Sequence, residues 1–203
     1  MNTENAELMK IARKSLDGKW VLAVGTFLIY LIISGAIQAF AKLVEFVGVL
    51  SLIITGPFMV GMNIFALKIY RNQEARIENL FEGFRNFVNA LAAYILMLVF
   101  IILWTLLLVI PGIIASISYS QTFFLLADNP KLRPMEAIDQ SKAMMDGYKL
   151  KYFTLLLRIF VLALVCILTL GIGFFFLFPY AQVLMAAFYE DIKTGSIPPE
   201  TIV

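Results

Sequence analysis

Between Trp20 and Tyr189 the chain consists of long uncharged apolar runs that are separated by short charged segments. A helix needs about 20 apolar residues to cross roughly 30 Å of hydrocarbon, because it rises about 1.5 Å per residue. The composition agrees, since 61% of the residues are hydrophobic and 15% are charged, which is too apolar for one soluble core of this size. The sequence therefore predicts an all-α, polytopic membrane protein whose single membrane domain covers residues 1–203.

Six segments are predicted to cross the membrane, arranged as three hairpins. Pro111-Gly112 divides one long uncharged stretch and Gly171-Ile172-Gly173 divides another, because proline and glycine interrupt helices. The predicted spans are Trp20 to Ala41, Phe46 to Leu67, Leu91 to Ile110, Ile113 to Ala127, Tyr152 to Leu170 and Phe174 to Tyr189. The fourth span is the shortest, so either a full crossing or a re-entrant element is compatible with it.

The lysines and arginines fall almost entirely on one side of this arrangement. With a cytoplasmic N-terminal tail, fourteen of the sixteen basic residues lie in cytoplasmic tails and segments. Lys42 lies on the opposite side and Arg158 lies within a span. Because cytoplasmic loops are enriched in Lys and Arg, we expect both termini to be cytoplasmic. One kinked pass over residues 91–127 would put the two most basic segments on opposite sides, so two passes are expected there.

Each basic segment ends in an acidic residue and a glycine, followed by basic and aromatic residues where the chain enters the membrane. The three glycines are Gly18, Gly83 and Gly147. This recurrence predicts three successive units, residues 4–70, 73–129 and 134–193, each an entry helix followed by a hairpin. Convergence is the alternative, because glycine ends helices and aromatic and basic residues both favour the membrane interface.

The three basic segments carry apolar residues at helical spacing, which predicts amphipathic entry helices. In the first segment Leu8, Ile11, Ala12 and Leu16 share one face. In the second, the apolar stripe consists of Ile77, Leu80, Phe81, Phe84 and Phe87. The third helix is predicted to begin at Pro134. Such helices lie flat at the interface, or they dock on one another or on a partner, and the sequence leaves these arrangements open.

Polar side chains within spans are costly unless they are paired or hydrated, so they mark candidate sites. The residues that predict a mid-membrane polar pocket are Arg158, Ser116, Tyr119, Ser120, Gln121, Asn63 and Gln182. Two plainer roles compete with a pocket. Arg158 can extend to the cytoplasmic headgroups or pair with Glu190 or Asp191, and small polar residues often hydrogen-bond between packed helices.

Catalytic chemistry is poorly supplied in this sequence. The chain has no histidine, which excludes histidine-dependent triads and imidazole metal ligands. Asp128, Asp139 and Asp146 are the one set of acids that we would consider for a metal at the inner surface. The sequence accordingly predicts no catalytic residue, no cofactor and no metal site. The balanced charges of the membrane-bound segments also predict no nucleic-acid partner.

Short motifs from residue 111 onward are typical of one family. They include Pro111-Gly112-Ile113, Leu126-Ala127-Asp128-Asn129-Pro130, Leu170-Gly171-Ile172-Gly173, Pro179-Tyr180 and Phe188-Tyr189-Glu190-Asp191. They resemble the bacterial integral membrane proteins grouped as domain of unknown function 975. The resemblance implies a multi-pass protein of the bacterial cytoplasmic membrane. The chain also looks distantly like the membrane domain of some glycerophosphodiester phosphodiesterases. The family resemblance implies no established activity.

For function, the sequence favours a non-enzymatic membrane component that assembles with partners or acts in envelope lipid or export processes. The expected partners are the lipid bilayer and either another membrane protein or a second copy of this chain. A small transporter or permease subunit, using the mid-membrane polar pocket, is the first alternative. An enzyme that acts on lipids is the second, and it would require carboxylates that converge at headgroup level.

Overall fold

A computed structural model of the protein describes residues 3–43 and 47–196, and within them the side chains of residues 3–39 and 51–194. All regular secondary structure in this part of the chain is helical, which confirms the predicted fold class. The helices are α1 (Asn5–Ser15), α2 (Trp20–Leu43), α3 (Val47–Tyr70), α4 (Asn79–Glu82), α5 (Phe87–Leu107), α6 (Val109–Ser118), α7 (Thr122–Asp128), α8 (Pro134–Met144), α9 (Lys149–Leu168) and α10 (Phe174–Ser196). A 3-10 turn, Gly83–Asn86, joins α4 to α5.

Five stretches of the described residues are long and apolar enough to cross a membrane. They are Trp20–Ala39, Ser51–Tyr70, Asn79–Leu107, Val109–Asp128 and Lys149–Leu168. The sixth predicted span matches the first part of α10, which ends in a charged segment that contains Glu190 and Asp191. The sixth crossing therefore stays a prediction. The predicted start of the second span, Phe46, lies outside the described residues.

The break in the first long uncharged stretch lies at Leu108, rather than at Pro111-Gly112 as the sequence predicted. Pro111 lies in the first turn of α6, where its missing N–H costs no helical hydrogen bond. A Cβ on Gly112 would lie 2.2 Å from the hydroxyl oxygen of Thr105. The glycine therefore lets α5 and α6 pack closely after a one-residue turn, and this makes the hairpin tighter than predicted.

The fourth span is interrupted near its middle. α6 ends at Ser118 and α7 begins at Thr122, with residues 119–121 forming a turn between them. Together the two helices give an apolar stretch of 20 residues, longer than the predicted Ile113 to Ala127 and sufficient for a bilayer at the usual rise.

Helix α1 is docked on the rest of the protein through its apolar face. Leu8, Ala12 and Leu16 on this face are fully buried, in contact with residues of α3, α9 and α10. The Tyr180 hydroxyl donates a hydrogen bond to the carbonyl of Met9 at 3.2 Å. The structure thus docks α1 on long helices of the protein itself, an arrangement that was not among those that the sequence left open.

The second and third charged segments differ from each other. Helix α8 begins at Pro134, as predicted, and buries Ile138. The segment before α5 forms only the four residues of α4 and the 3-10 turn. There Leu80 is buried whereas Phe81 is about half exposed, so the expected apolar stripe does not lie on one continuous helix.

The three motif glycines occupy two kinds of position. Gly18 and Gly147 have φ of +74° and +77° and each forms the turn between an entry helix and a long helix, a conformation that favours glycine. Gly83 has φ of −61°, and a Cβ there would lie 2.0 Å from the carbonyl oxygen of Pro57. The motif glycine thus forms a turn at Gly18 and Gly147, whereas at Gly83 it allows a close backbone contact. The threefold repeat itself stays a prediction.

Candidate functional site

An ion-pair cluster joins helix ends that are distant in sequence. Nη2 of Arg71, just after α3, lies 2.8 Å from Oδ1 of Asp128 at the end of α7. Nε of Arg71 also donates a hydrogen bond of 2.7 Å to Oε1 of Glu190 in α10. Lys193 pairs with Asp128 on its other oxygen, and this oxygen also accepts a hydrogen bond of 3.1 Å from the Tyr189 hydroxyl. We call Arg71, Asp128, Glu190 and Lys193 the ion-pair cluster.

Asp191 forms a second set of contacts beside this cluster. Its Oδ2 lies 2.5 Å from Nζ of Lys151 at the start of α9, and its Oδ1 accepts a hydrogen bond of 3.1 Å from the backbone N–H of Thr3. In addition, Nζ of Lys19 donates a 3.0 Å hydrogen bond to Oδ1 of Asn72. Polar residues near the start of α2 and α9, near the ends of α3 and α7, and in the charged part of α10 therefore meet in one polar layer.

The ion-pair cluster keeps Arg71 charged. Burial acts to lower the pKa of Arg71, but hydrogen bonds and charge interactions with Asp128 and Glu190 outweigh it and hold this pKa above its ordinary value. The guanidinium is therefore fixed as a cation that balances two carboxylates. Because each carboxylate is held by a cation, the cluster is suited to stabilising structure and setting a local field, and it is poorly suited to transferring protons.

A pocket of about 270 Å³ opens beside the ion-pair cluster. It lies between α3, the turn at residues 82–86 and the end of α7. Its charged lining consists of Lys68, Arg71, Glu82, Arg85 and Asp128. Nζ of Lys68 lies 3.2 Å from Oε1 of Glu82, so these two charges balance. Among the described residues Arg85 makes no ion pair, and it gives the pocket an excess of positive charge.

The other side of the pocket is apolar. Val60, Ile64 and Leu67 from α3 line it together with Leu126 from α7. Val60 and Leu67 lie two helical turns apart, which is about 10 Å at the usual rise per residue. The pocket is therefore amphipathic, with charged side chains from three parts of the chain and an apolar wall along α3.

The residues predicted to form a mid-membrane pocket occupy different environments. Arg158 is exposed on α9, and among the described residues it makes no ion pair. Glu190 and Asp191, its predicted alternatives, pair with Arg71 and Lys151 instead. Ser116 is exposed and donates a hydrogen bond to the carbonyl of its own helix. Arg158 and Ser116 form no hydrogen bond or ion pair with each other.

The remaining predicted residues lie closer to the protein interior. Asn63 and Tyr119 are buried, Gln121 is fully buried, and Ser120 and Gln182 are partly buried. Nε2 of Gln121 donates a hydrogen bond of 2.8 Å to the Ser120 hydroxyl. Tyr119 lines an open groove of about 490 Å³ between the α5–α6 hairpin and α8. Whether these residues serve a ligand stays a prediction.

A buried serine bridges the interruption in the fourth span. The hydroxyl of Ser141 in α8 donates a hydrogen bond of 2.8 Å to the carbonyl of Ser118 and accepts one of 3.1 Å from the backbone N–H of Gln121. Two backbone groups that the break releases are thus paired by one side chain. Oε1 of Gln121 and the hydroxyl of Thr122 are buried and have no hydrogen-bond partner in the part of the chain that the structure describes.

The three acids considered for metal binding lie in different environments. Asp128 lies in the ion-pair cluster, Asp139 lies 3.9 Å from Lys142 on α8, and Asp146 is exposed after α8. Within residues 3–43 and 47–196, no group of three acidic or cysteine side chains is arranged to hold a metal ion.

Comparison with known protein families identifies one family that matches this chain. The model of the family described as "Protein of unknown function (DUF975)" matches residues 1–111 and 105–196. The chain belongs to the DUF975 family. The family resemblance predicted from the motifs after residue 111 is thus confirmed, whereas the looser likeness to glycerophosphodiester phosphodiesterase membrane domains stays a prediction. Searches of curated proteins and of solved structures found no significant match to this DUF975 chain.

The sequence reasoning missed Arg71, Arg85 and Glu82 as site residues. A signal for part of the site was present, since α3 has a base in its last turn, α7 ends in an acid, and two acids follow the apolar part of α10. Spans that end at the same membrane face with opposite charges are candidates for direct pairing. Nothing in the spacing indicated that the turn at residues 82–86 would close a pocket on α3, because that contact depends on the backbone approach at Gly83.

Proposed function

We propose that this protein is a non-enzymatic component of the bacterial cytoplasmic membrane that acts by binding at the charged pocket, in an envelope lipid or export process. The observation that carries the proposal is the pairing of the pocket's carboxylates: Glu82 with Lys68, and Asp128 with Arg71 and Lys193. Carboxylates held in this way are poor general bases. The pocket instead offers a fixed pattern of charge next to an apolar wall, as a binding site requires.

The proposed orientation puts the polar layer and both chain ends in the cytoplasm. It is supported by the excess of Lys and Arg in the segments that supply this layer. The bilayer is the first partner, and another membrane protein or a second copy of this chain is the second. Both kinds of partner would meet the pocket where α3 and α7 end.

Site-specific photo-crosslinking in native membranes tests this proposal. A photoreactive amino acid at Gln73, an exposed residue that lines the pocket, should give a defined adduct with a lipid or a protein. The same group at Asp146, which is exposed but does not line the pocket, is the control and should not give that adduct. Identical adducts at both positions, or none at Gln73, would contradict binding at the pocket. Turnover of a membrane lipid by the purified protein would contradict a non-enzymatic role.

A transport role is the alternative that one specific observation favours. The fourth span is broken at residues 119–121, and the buried Oε1 of Gln121 has no hydrogen-bond partner among the described residues. Interrupted membrane helices with free polar groups occur at substrate sites of transporters. Solute uptake into vesicles that contain the protein, with loss of uptake in Gln121→Leu, would favour transport over binding at the charged pocket.

A further inference from the structure

We propose that the charged pocket binds the phosphate group of an anionic membrane phospholipid, with Arg85 contacting the phosphate and α3 contacting an acyl chain. This inference rests on the proposed binding function, and it names the ligand class. The pocket is the space of about 270 Å³ between α3, the turn at residues 82–86 and the end of α7.

The charge of the pocket selects an anion. Lys68 and Glu82 balance each other at 3.2 Å. In the ion-pair cluster, Arg71 and Lys193 balance Asp128 and Glu190. Arg85 is left over, because it has no ion pair within the described residues. A bound ligand with one negative charge would neutralise the pocket without breaking an existing pair.

The chemistry of Arg85 suits a phosphate. A guanidinium presents several N–H donors in a planar fork, which matches two oxygens of a phosphate and gives short, charge-assisted hydrogen bonds. Arg85 lies two residues before Phe87, where α5 and its apolar sequence begin. This position corresponds to the level at which the headgroups of anionic lipids meet basic residues of a membrane protein.

The apolar wall distinguishes a lipid from a soluble phosphate. Val60, Ile64 and Leu67 line the pocket along about 10 Å of α3. A free phosphate or a soluble phosphate ester would leave this wall exposed to water, whereas an acyl chain would cover it. The combination of an unpaired cation with a wall of aliphatic side chains therefore fits an amphipathic ligand.

Lipid retention by the purified protein provides the test. The full chain is placed in nanodiscs of phosphatidylcholine that contain a minor fraction of phosphatidylglycerol with the same acyl chains, and bound lipid is identified by native mass spectrometry. The unmodified protein should retain phosphatidylglycerol in preference to phosphatidylcholine. Arg85→Gln should reduce this preference about tenfold, since it removes a charge-assisted contact, and Arg85→Lys should keep part of it.

Arg76→Gln is the matched control. Arg76 is an exposed arginine near Arg85 in sequence that pairs with Glu74 and does not line the pocket. Its substitution by Gln changes the net charge of the protein as much as Arg85→Gln does. Its lipid preference should equal that of the unmodified protein. A loss as large as in Arg85→Gln would reduce the effect to general charge and overturn the inference. Ile64→Trp, which narrows the apolar side, should also weaken retention, and full retention in this variant would overturn the acyl-chain contact.

Competition separates a lipid from a free phosphate. Inorganic phosphate and glycerol 3-phosphate should displace the lipid weakly, because neither covers the apolar wall. If either competes as well as phosphatidylglycerol, the ligand is a soluble phosphate and the lipid assignment is wrong. A protein adduct at Gln73 in native membranes, together with no lipid preference in nanodiscs, would overturn the lipid inference while leaving the proposed binding function intact.

Discussion

The guanidinium of Arg71 lies 2.8 Å from the carboxylate of Asp128, and this contact ties the end of α3 to the end of α7. Both helices belong to apolar stretches long enough to cross a membrane. The pair therefore requires that the two stretches finish at the same membrane face. That relation is what the distribution of basic residues predicts, and it makes the topology testable at single positions.

Cysteine labelling checks this topology. In a Cys166→Ser background, single cysteines at Gln73 and Lys131 should react only after the membrane is permeabilised. Both lie near the polar layer, which we propose to face the cytoplasm. A cysteine at Leu170, which is almost fully exposed in the turn between α9 and α10, should react with an impermeant maleimide in intact cells. Lys42, whose side chain lies outside the described residues, offers a second position on the Leu170 side. Equal labelling of Lys131 and Leu170 from outside would contradict this topology.

Removal of Arg71 should destabilise the protein. Arg71→Leu leaves Asp128 and Glu190 with most of their side-chain surface buried and without this cation. Breaking such a pair costs about 2 to 3 kcal/mol of unfolding free energy, measured by SDS-induced unfolding in micelles. Lys10→Leu breaks an exposed pair with Glu7 and should change stability by less than about 0.5 kcal/mol. Equal losses in the two variants would contradict a structural role for the cluster.

Substitution of Ser141 should affect stability through the break in the fourth span. Ser141→Ala leaves the carbonyl of Ser118 and the N–H of Gln121 without this partner in a buried site, at a cost of about 2 kcal/mol. Ser116→Ala removes a hydroxyl that bonds only within its own exposed helix, so it should be nearly neutral. If both variants unfold at the same SDS fraction as the unmodified protein, Ser141 does not brace the break.

The motif glycines should respond differently to alanine. A Cβ on Gly83 would overlap the Pro57 carbonyl, so Gly83→Ala should cost about 3 kcal/mol of unfolding free energy. A Cβ on Gly18 meets nothing within 4 Å. Gly18→Ala should therefore lower the unfolding free energy by only about 1 kcal/mol, because alanine disfavours the left-handed backbone conformation of this residue. Gly18→Asn should recover part of that loss. An equal effect at Gly18 and Gly83 would show that the close backbone contact at Gly83 is not required.

Arg158 should be dispensable for folding. It is exposed on α9 and pairs with none of the described acids, so its side chain is free to extend to the headgroups. Arg158→Leu should change the unfolding free energy by less than about 0.5 kcal/mol. A loss comparable to that of Arg71→Leu, together with a changed oligomeric state on size exclusion, would instead indicate a partner that covers this face of α9.

The positions of the long helices were largely predictable, whereas the contacts between them were not. Apolar length alone locates α2, α3, α5 and α9, because hydrocarbon imposes the same minimum on every crossing. The turn at Leu108 was missed because Pro111 is equally compatible with the start of a helix and with its end. Local sequence cannot separate these two uses of proline.

The candidate site shows the same limit more strongly. Arg158 drew attention because a charge within an apolar run is costly, yet the structure leaves it on the surface. Arg71 and Glu190 looked ordinary because each lies at the end of a span, where charges are common. Their importance depends on a contact between residues that are 119 positions apart in the chain. A single sequence contains no record of such a contact.

The docking of α1 has a consequence for biosynthesis. The Asn5 side chain donates a hydrogen bond to the carbonyl of Lys151, and the N–H of Thr3 donates one to Asp191, so α1 is anchored by helices that are synthesised well after it. Until α9 and α10 have been inserted, Leu8, Ala12 and Leu16 lack most of the protein surface that covers them, because α3 supplies only a small part of it. Docking of α1 therefore has to wait until α10 is in place, and a truncated chain that lacks α10 should leave α1 open to proteases.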